Sequence, residues 1–287
     1  MLVLSVLLTG ISIGFLYGLA ALGVVLVYRG SRVLNFAQGE FGTVGIYAAW
    51  LVASRFGPFL GLLAGACTGA LVAAAVERVA IRPANRMGGV APVVATSAVT
   101  VILIEAEKAV FGVTPRTFTP PIRGAGLSLA SVFFSPIQLL TFAIACLVSL
   151  ALYLFFRRTW AGLAVLAQAH NSDTTRLLGI PADRISSLVW ALAGALAGTA
   201  AVLRASLIGS FHPAFMTLGL LQVFAAAVLG GLTSMPGALL GGIAIGIVES
   251  LASLWWGQIG GIAYVGVFGM LLLVLLVRPR GLLGGRA

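Results

Sequence analysis

Residues able to carry charge or hold a polar solute are scarce in this chain, so the positions they occupy are informative. Glu249 falls about 12 residues into an apolar run, roughly 18 Å deep at 1.5 Å per residue, near the middle of a bilayer. A carboxylate at that depth must face other helices or a cavity. It serves either as a tie between helices or as part of a solute route. Asn35, Gln38 and Glu40 lie in NFAQGEFGTVG (35–45), and Gln222 lies in FMTLGLLQVF (215–224). Both stretches are short and interrupted by glycine. Interrupted helices are tolerated only beside a cavity, because their freed backbone groups need partners. These five side chains are therefore candidate path residues. On the alternative reading, Asn35 caps its helix and the glutamines bond neighbouring helices. Glu107 and Arg204 lie toward one membrane face with Glu105 and Lys108, and the last two have the spacing of a pair on one helix face.

Catalytic and nucleotide-binding signatures are missing. The single lysine, Lys108, follows Glu107, so a GxxxxGK[ST] phosphate loop is excluded, and there is no HExxH, GxSxG or metal-ligand spacing. His170 and His212 lie in separate loops and read as surface residues, while Cys67 and Cys146 sit in apolar runs as packing residues. The chain is expected to hold no metal or cofactor of its own.

The elements that position these groups follow from composition. Of 287 residues 60% are hydrophobic and 8% charged, against roughly 25% charged in soluble domains. An all-α polytopic membrane protein is the class that remains. Apolar segments run near 1–28, 36–54, 58–78, 90–111, 136–156, 186–207, 216–230, 237–255 and 262–277, giving about nine crossings (8–10) in one domain spanning 1–287. The net charge of +10 comes from arginines scattered singly or in pairs, a pattern of membrane-face loops rather than of a nucleic-acid groove. With the N-terminus outside and the C-terminus cytoplasmic, Arg29, Arg32, Arg78, Arg82, Arg86, Arg157, Arg158, Arg176, Arg184, Arg278, Arg280 and Arg286 fall inside. Only Arg55, Arg116 and Arg123 fall in outside loops. That bias is the one insertion imposes.

Two connections are long. Residues 112–135 are Pro- and Gly-rich and assigned outside. Residues 157–185 are assigned to the cytoplasm, where Asn171 or Ser172 can cap a short helix with Asp173 in its first turn, ended by Gly179 and Pro181. Such a helix is a handle for a soluble partner.

The order of segments hints at duplication. PFLGLLAGACTGALVAAAVE (58–77) and PGALLGGIAIGIVE (236–249) share a proline, spaced glycines and a glutamate. Pairing the first helix with the sixth, the second with the seventh and so on leaves the fifth as a linker. This is a four-plus-one-plus-four inverted repeat. Gly61, Gly65 and Gly69, Gly194 and Gly198, and Gly237, Gly241 and Gly242 mark faces for close helix approach.

Several blocks carry a family resemblance. VYRGSRVLNFAQGEFGTVGIY (27–47), ERVAIRPANRMGGVAPVVATSAVT (77–100), AVLGGLTSMPGALLGGIAIGIVES (227–250) and LLVRPRGLLGG (275–285) resemble conserved stretches of Liv-type branched-chain amino acid permeases, the membrane subunits of ABC importers. The spacing from Thr159 through Gly162 to Gly179-Ile180 is similar to their cytoplasmic motif. Leu166 and Thr175 stand where the family has Arg and Ala, and Gln38 stands where it has His.

The resemblance implies a permease without catalytic activity in the bacterial inner membrane. Its implied partners are a second homologous permease subunit, two cytoplasmic ATPase subunits that bind the ATP, an extracytoplasmic substrate-binding protein and membrane lipid. Thr159, Gly162, Asp173, Arg176, Leu177, Leu178, Gly179 and Ile180 are then the ATPase-coupling residues, with Leu177, Leu178 and Ile180 inserting into an ATPase groove. The solute would be a branched-chain or related small amino acid, or urea or an amide. A secondary transporter driven by an ion gradient is the alternative.

Overall fold

Each of the nine apolar segments coincides with a helix. The computed structural model describes residues 2–122, 124, 126–129, 132–170, 181–278 and 281–283. Helix α1 (Leu2–Ser31) is followed by α2 (Gln38–Phe56) and α3 (Pro58–Val76). A π-helical stretch at Glu77–Ile81 carries α3 into α4 (Arg82–Met87). Then come α5 (Ala91–Phe111), α6 (Pro136–Arg158), α7 (Trp160–His170) and α8 (Ala182–Ile208). A 3-10 turn at Thr217–Gly219 leads into α9 (Leu220–Gly230), and α10 (Met235–Trp256) and α11 (Ile262–Val277) complete the chain. Among the described residues, five stretches are long and apolar enough to cross a bilayer: Val3–Ser31, Pro58–Met87, Pro136–Arg158, Ala182–Ile208 and Met235–Trp256. Thr217–Gly230 and Ile262–Val277 are apolar but shorter. Two small antiparallel strand pairs decorate the loops: β1 (Arg116–Thr117) with β4 (Ser210–Phe211), and β2 (Leu127–Leu129) with β3 (Val132–Phe134).

Lipid removes most of the hydrophobic drive between helices, so close approach of small residues has to hold them. A Cβ at Gly14 would lie 2.5 Å from the Ile243 Cα, and one at Gly194 would run into the Gly69 carbonyl. These contacts fasten α1 antiparallel to α10 and α3 antiparallel to α8.

The packing repeats itself upside down. α1 lies on α10 as α8 lies on α3, α2 pairs with α3 as α9 pairs with α10, and α8 touches α2 as α1 touches α9. α1 and α8 themselves cross antiparallel, with Gly23 against Ala193 and Gly30 against Val189. Exchanging α1 with α8, α2 with α9 and α3 with α10 thus preserves the contacts, and α6 stands apart, as the duplication in the sequence predicts.

Several expectations need correction. The glycines of 35–45 do not interrupt α2, which is continuous from Gln38; they let it approach its neighbours, Gly39 facing the Thr217 backbone and Gly42 the Ala197 carbonyl. The break lies before the helix, in residues 32–37. Glu249 lies nearer the end of its helix than the middle, since α10 begins at Met235 and ends seven residues past it. Cys67 and Cys146 lie on outer faces rather than in packing positions. His212 is half-buried, its ring edge-on to Phe215 at 5.9 Å.

Candidate functional site

Both halves send a non-helical segment back into the protein before the second helix of the half begins. Gln38, the first residue of α2, donates through Nε2 to the Ala193 carbonyl (3.0 Å) and packs on Gly23. Gly23 is eight residues short of the end of α1, so the chain has climbed back about 12 Å. In the other half the chain leaves α8 at Ile208 and returns until Met216 faces Gly42, beside Ala197. That is roughly 16 Å back along α8. Arg32 (φ 55°) and Ala214 (φ 63°), the non-glycine residues with left-handed backbone among the described residues, each lie six residues before the helix that follows. Strained backbone of this kind persists only where the surroundings hold it.

The two returning segments meet. The Thr217 hydroxyl donates to the Glu40 carboxylate, and the Met216 amide donates to the Thr43 hydroxyl at 3.2 Å. The Phe36 and Phe224 rings pack edge-on at 5.1 Å. Asn35 Oδ1 accepts from the Ala37 amide (3.0 Å) while its amide donates to Gln38 Oε1 (3.1 Å). Asn35 thus shapes the turn before the helix rather than capping it directly. Glu40, in the first turn of α2, sits where the helix dipole favours an anion.

A second acid completes this cluster. Glu107, on α5, accepts from the Ala214 amide (3.3 Å), and its carboxyl lies within hydrogen-bonding reach of Glu40. Glu40 Oε2 and Glu107 Oε1 are buried and have no hydrogen-bond donor among the described residues. Two ionised carboxylates in one dry site repel. The sequence placed Glu107 near Glu105 and Lys108 at one face. Those two do pair on the exposed side, at 2.7 Å. Glu107 is two residues from Glu105, and that spacing on a helix points the side chain elsewhere; it was the available signal. Thr217 had none.

Gln222 is buried on α9, and its side-chain oxygen has no hydrogen-bond partner among the described residues. Glu249 does not join the cluster. It lines a cavity of approximately 390 Å³ with Tyr17 and Arg204, and the Tyr17 hydroxyl is in hydrogen-bonding reach of its carboxylate. Arg204 spans the two regions: its guanidinium donates to the Phe215 carbonyl (3.0 Å) and lies over the Phe215 ring.

The other end of the molecule holds α7 and the start of α8. Thr159 is a corner: its hydroxyl donates to the Phe155 carbonyl (2.7 Å) and accepts from the Gly162 amide (3.0 Å). A Cβ at Gly162 would collide with that same carbonyl, so these two residues fold α7 back on α6. Asp173, Arg176, Leu177, Leu178, Gly179 and Ile180 lie outside the described residues. Directly after them, Asp183 in the first turn of α8 is gripped by Arg82, which also bonds Glu77 at 2.8 Å. Ser186 and Ser187 donate to the same Glu77 carboxylate (2.9 and 2.7 Å). This network went unnoticed in the sequence, where Arg82 and Asp183 are 101 residues apart.

The chain matches the family described as branched-chain amino acid transport system / permease component over residues 6–277. It is 34% identical to the high-affinity branched-chain amino acid transport system permease protein BraD of Pseudomonas aeruginosa, covering 98% of this chain and 95% of that one. It is 31% identical to the permease protein LivH of Escherichia coli strain K12, covering 96% and 93%. Among solved structures it is similar to PsaBC from Streptococcus pneumoniae in complex with Fab, at 15% identity, TM-score 0.49, and 96% and 91% coverage.

Proposed function

Because the chain belongs to the permease-component family of branched-chain amino acid transport systems, and is a transport subunit rather than an enzyme, we propose that it forms the translocation path of an ATP-driven importer for branched-chain or related small amino acids, with urea and amides as further candidates. The observation that carries this reading is the meeting of the two returning segments at Glu40 and Thr217. Helices that start inside the protein from opposite directions leave polar groups at mid-depth, which hydrocarbon tolerates only where they are buried in protein or border a cavity, as along a solute route. Asn35, Gln38, Glu40 and Gln222 would border it on one side and Glu249 on the other.

Motion is supplied from elsewhere. Two ATPases in the cytosol would close on the segment 159–181, with Leu177, Leu178 and Ile180 in their groove, and a second homologous permease and an extracytoplasmic binding protein would complete the assembly. The N-terminus is then outside and the C-terminus cytoplasmic. The test is uptake of radiolabelled leucine by proteoliposomes holding the assembled complex. Uptake should require ATP and should vanish on deletion of 172–180 or in Gly179→Pro, while membrane insertion persists. Normal uptake after that deletion defeats the proposal.

The inverted repetition of the helix contacts favours one other reading, transport driven by an ion gradient. Uptake by the chain without ATPases, following an imposed proton gradient, would decide for it.

A further inference from the structure

We infer that the groove between α6 and α10, floored by α1, holds one anionic phospholipid, its phosphate at Arg29 and Arg157 and an acyl chain along Leu152 and Leu239. The site goes beyond the transport reading and does not depend on it. The groove exists because α6 has no counterpart in the repeat: it packs chiefly on α1 and α7, while α10 lies along α1. The gap that results is a cavity of approximately 540 Å³, within the ~300–1,000 Å³ of ordinary ligand pockets.

Charge and apolar surface are layered in this cavity as they are in a phospholipid. Arg29 and Arg157 lie in the last turns of α1 and α6, and both line it. Leu22 on α1 is seven residues before Arg29, about 10 Å deeper, and Leu152 on α6 is five before Arg157, about 7 Å deeper. On α10 the first turn, Met235 and Pro236, borders the cavity at the same level, with Leu239 further in. That helix start favours an anion.

The cations lack a counter-charge. No carboxylate lines the cavity, and among the described residues neither arginine forms an ion pair. Arg29 makes no hydrogen bond through its side chain among them either. Arg157 donates to the Tyr153 hydroxyl and lies over that ring at 5.6 Å. Tyr153 is neutral, and most of the five guanidinium donors stay open. The positive-inside bias puts arginines at this face; it does not put two on one groove without an acid. Guanidinium groups take phosphate in a bidentate grip, and basic pockets between membrane helices suit anionic headgroups. Free phosphate would satisfy the arginines alone and leave the leucine wall uncovered. A lipid satisfies both.

The experiment uses the permease with its co-purifying subunits in phosphatidylcholine liposomes doped with phosphatidylglycerol that carries a photoactivatable acyl chain. Cross-linked peptides are read by mass spectrometry. Label should fall on the peptides of Leu152 and Leu239, and the same photoactivatable chain on phosphatidylcholine should label them far less. Leu272, exposed on α11, reports the surrounding lipid and should show no such preference. Each arginine is worth about fivefold in occupancy of an anionic headgroup. Arg29→Gln combined with Arg157→Gln should therefore cut groove label more than tenfold relative to Leu272. Leu239→Trp fills the groove, leaves the charges, and should cut it too. Should the double variant fail to insert, the preference of the wild type for phosphatidylglycerol decides alone. Equal labelling by the two lipids, full label in the double variant, or cross-linking of Leu152→Cys to another subunit in place of lipid overturns the site. No readout involves uptake, so its failure leaves the transport reading standing.

Discussion

The Thr217 hydroxyl donates to the Glu40 carboxylate, so the second helix of one half is tied to the segment that precedes the second helix of the other, 177 residues along the chain. The bond is partly buried, and its loss leaves the buried Glu40 carboxylate short of a donor. Thr217→Val keeps the volume and should cost about 1–3 kcal/mol, read as a lower midpoint of thermal unfolding in detergent. Thr217→Ser keeps the donor and should recover most of it. Equal midpoints for Val and wild type would show that water replaces the hydroxyl.

Left-handed backbone at Arg32 and Ala214 carries a steric cost that glycine escapes. Relief should approach 1 kcal/mol per site, offset in part by the entropy glycine loses on folding. Ala214→Gly should therefore raise or hold thermal stability, whereas Ala214→Val should lower it by more than 1 kcal/mol, about the αL penalty for a branched residue. Differential scanning calorimetry of the two variants settles the ranking. A stabilised Ala214→Gly that also transports more slowly would place the strain in the transport cycle.

Small residues at the α3–α8 contact leave no space for a methyl. At Gly194 a Cβ would meet the Gly69 carbonyl and approach the Ala73 Cβ to 2.6 Å, and both helices would have to part. Gly194→Ala should cost about 1–3 kcal/mol, the usual range for overpacking, and broaden the size-exclusion profile. Gly269, on α11, has nothing within 4 Å of the same position. There Gly269→Ala should be neutral or gain up to about 1 kcal/mol from helix propensity.

Much of this was readable beforehand because lipid forces it. The apolar runs located the helices, since an unsatisfied backbone cannot be left in hydrocarbon. The matching positions of 35–45 and 215–224 singled out Gln38 and Glu40 as candidates, and the Glu40 carboxylate accepts from Thr217 of the other stretch. What the sequence hid is pairing across distance. Nothing local marks Thr217 as a partner for Glu40, or Asp183 for Arg82, and the glycines of α2 read as breaks when they are contact surfaces. Periodicity reports the side of a helix a residue occupies, not which neighbour waits there.

The last prediction concerns the join between the segment leading into α8 and the rest of the molecule. Arg82 bridges Glu77 and Asp183, and the Glu77 side chain is 2% exposed. Its position after a π-helical stretch, a distortion frequent at functional sites, sets Arg82 on the face toward α8. If force from the ATPases enters at 159–181, it reaches α8 at Asp183 and α3 through Arg82. Arg82→Met removes the bridge. It should cost about 2 kcal/mol, less than the 3–5 kcal/mol for breaking a fully buried pair, because Ser186 and Ser187 still hold Glu77. A stabilising role alone would lower the amount of assembled complex, and hydrolysis and uptake would fall in proportion. A transmitting role separates them: per assembled complex, ATP hydrolysis continues while leucine uptake drops by tenfold or so. Parallel loss of both rates in Arg82→Met assigns the network to stability alone.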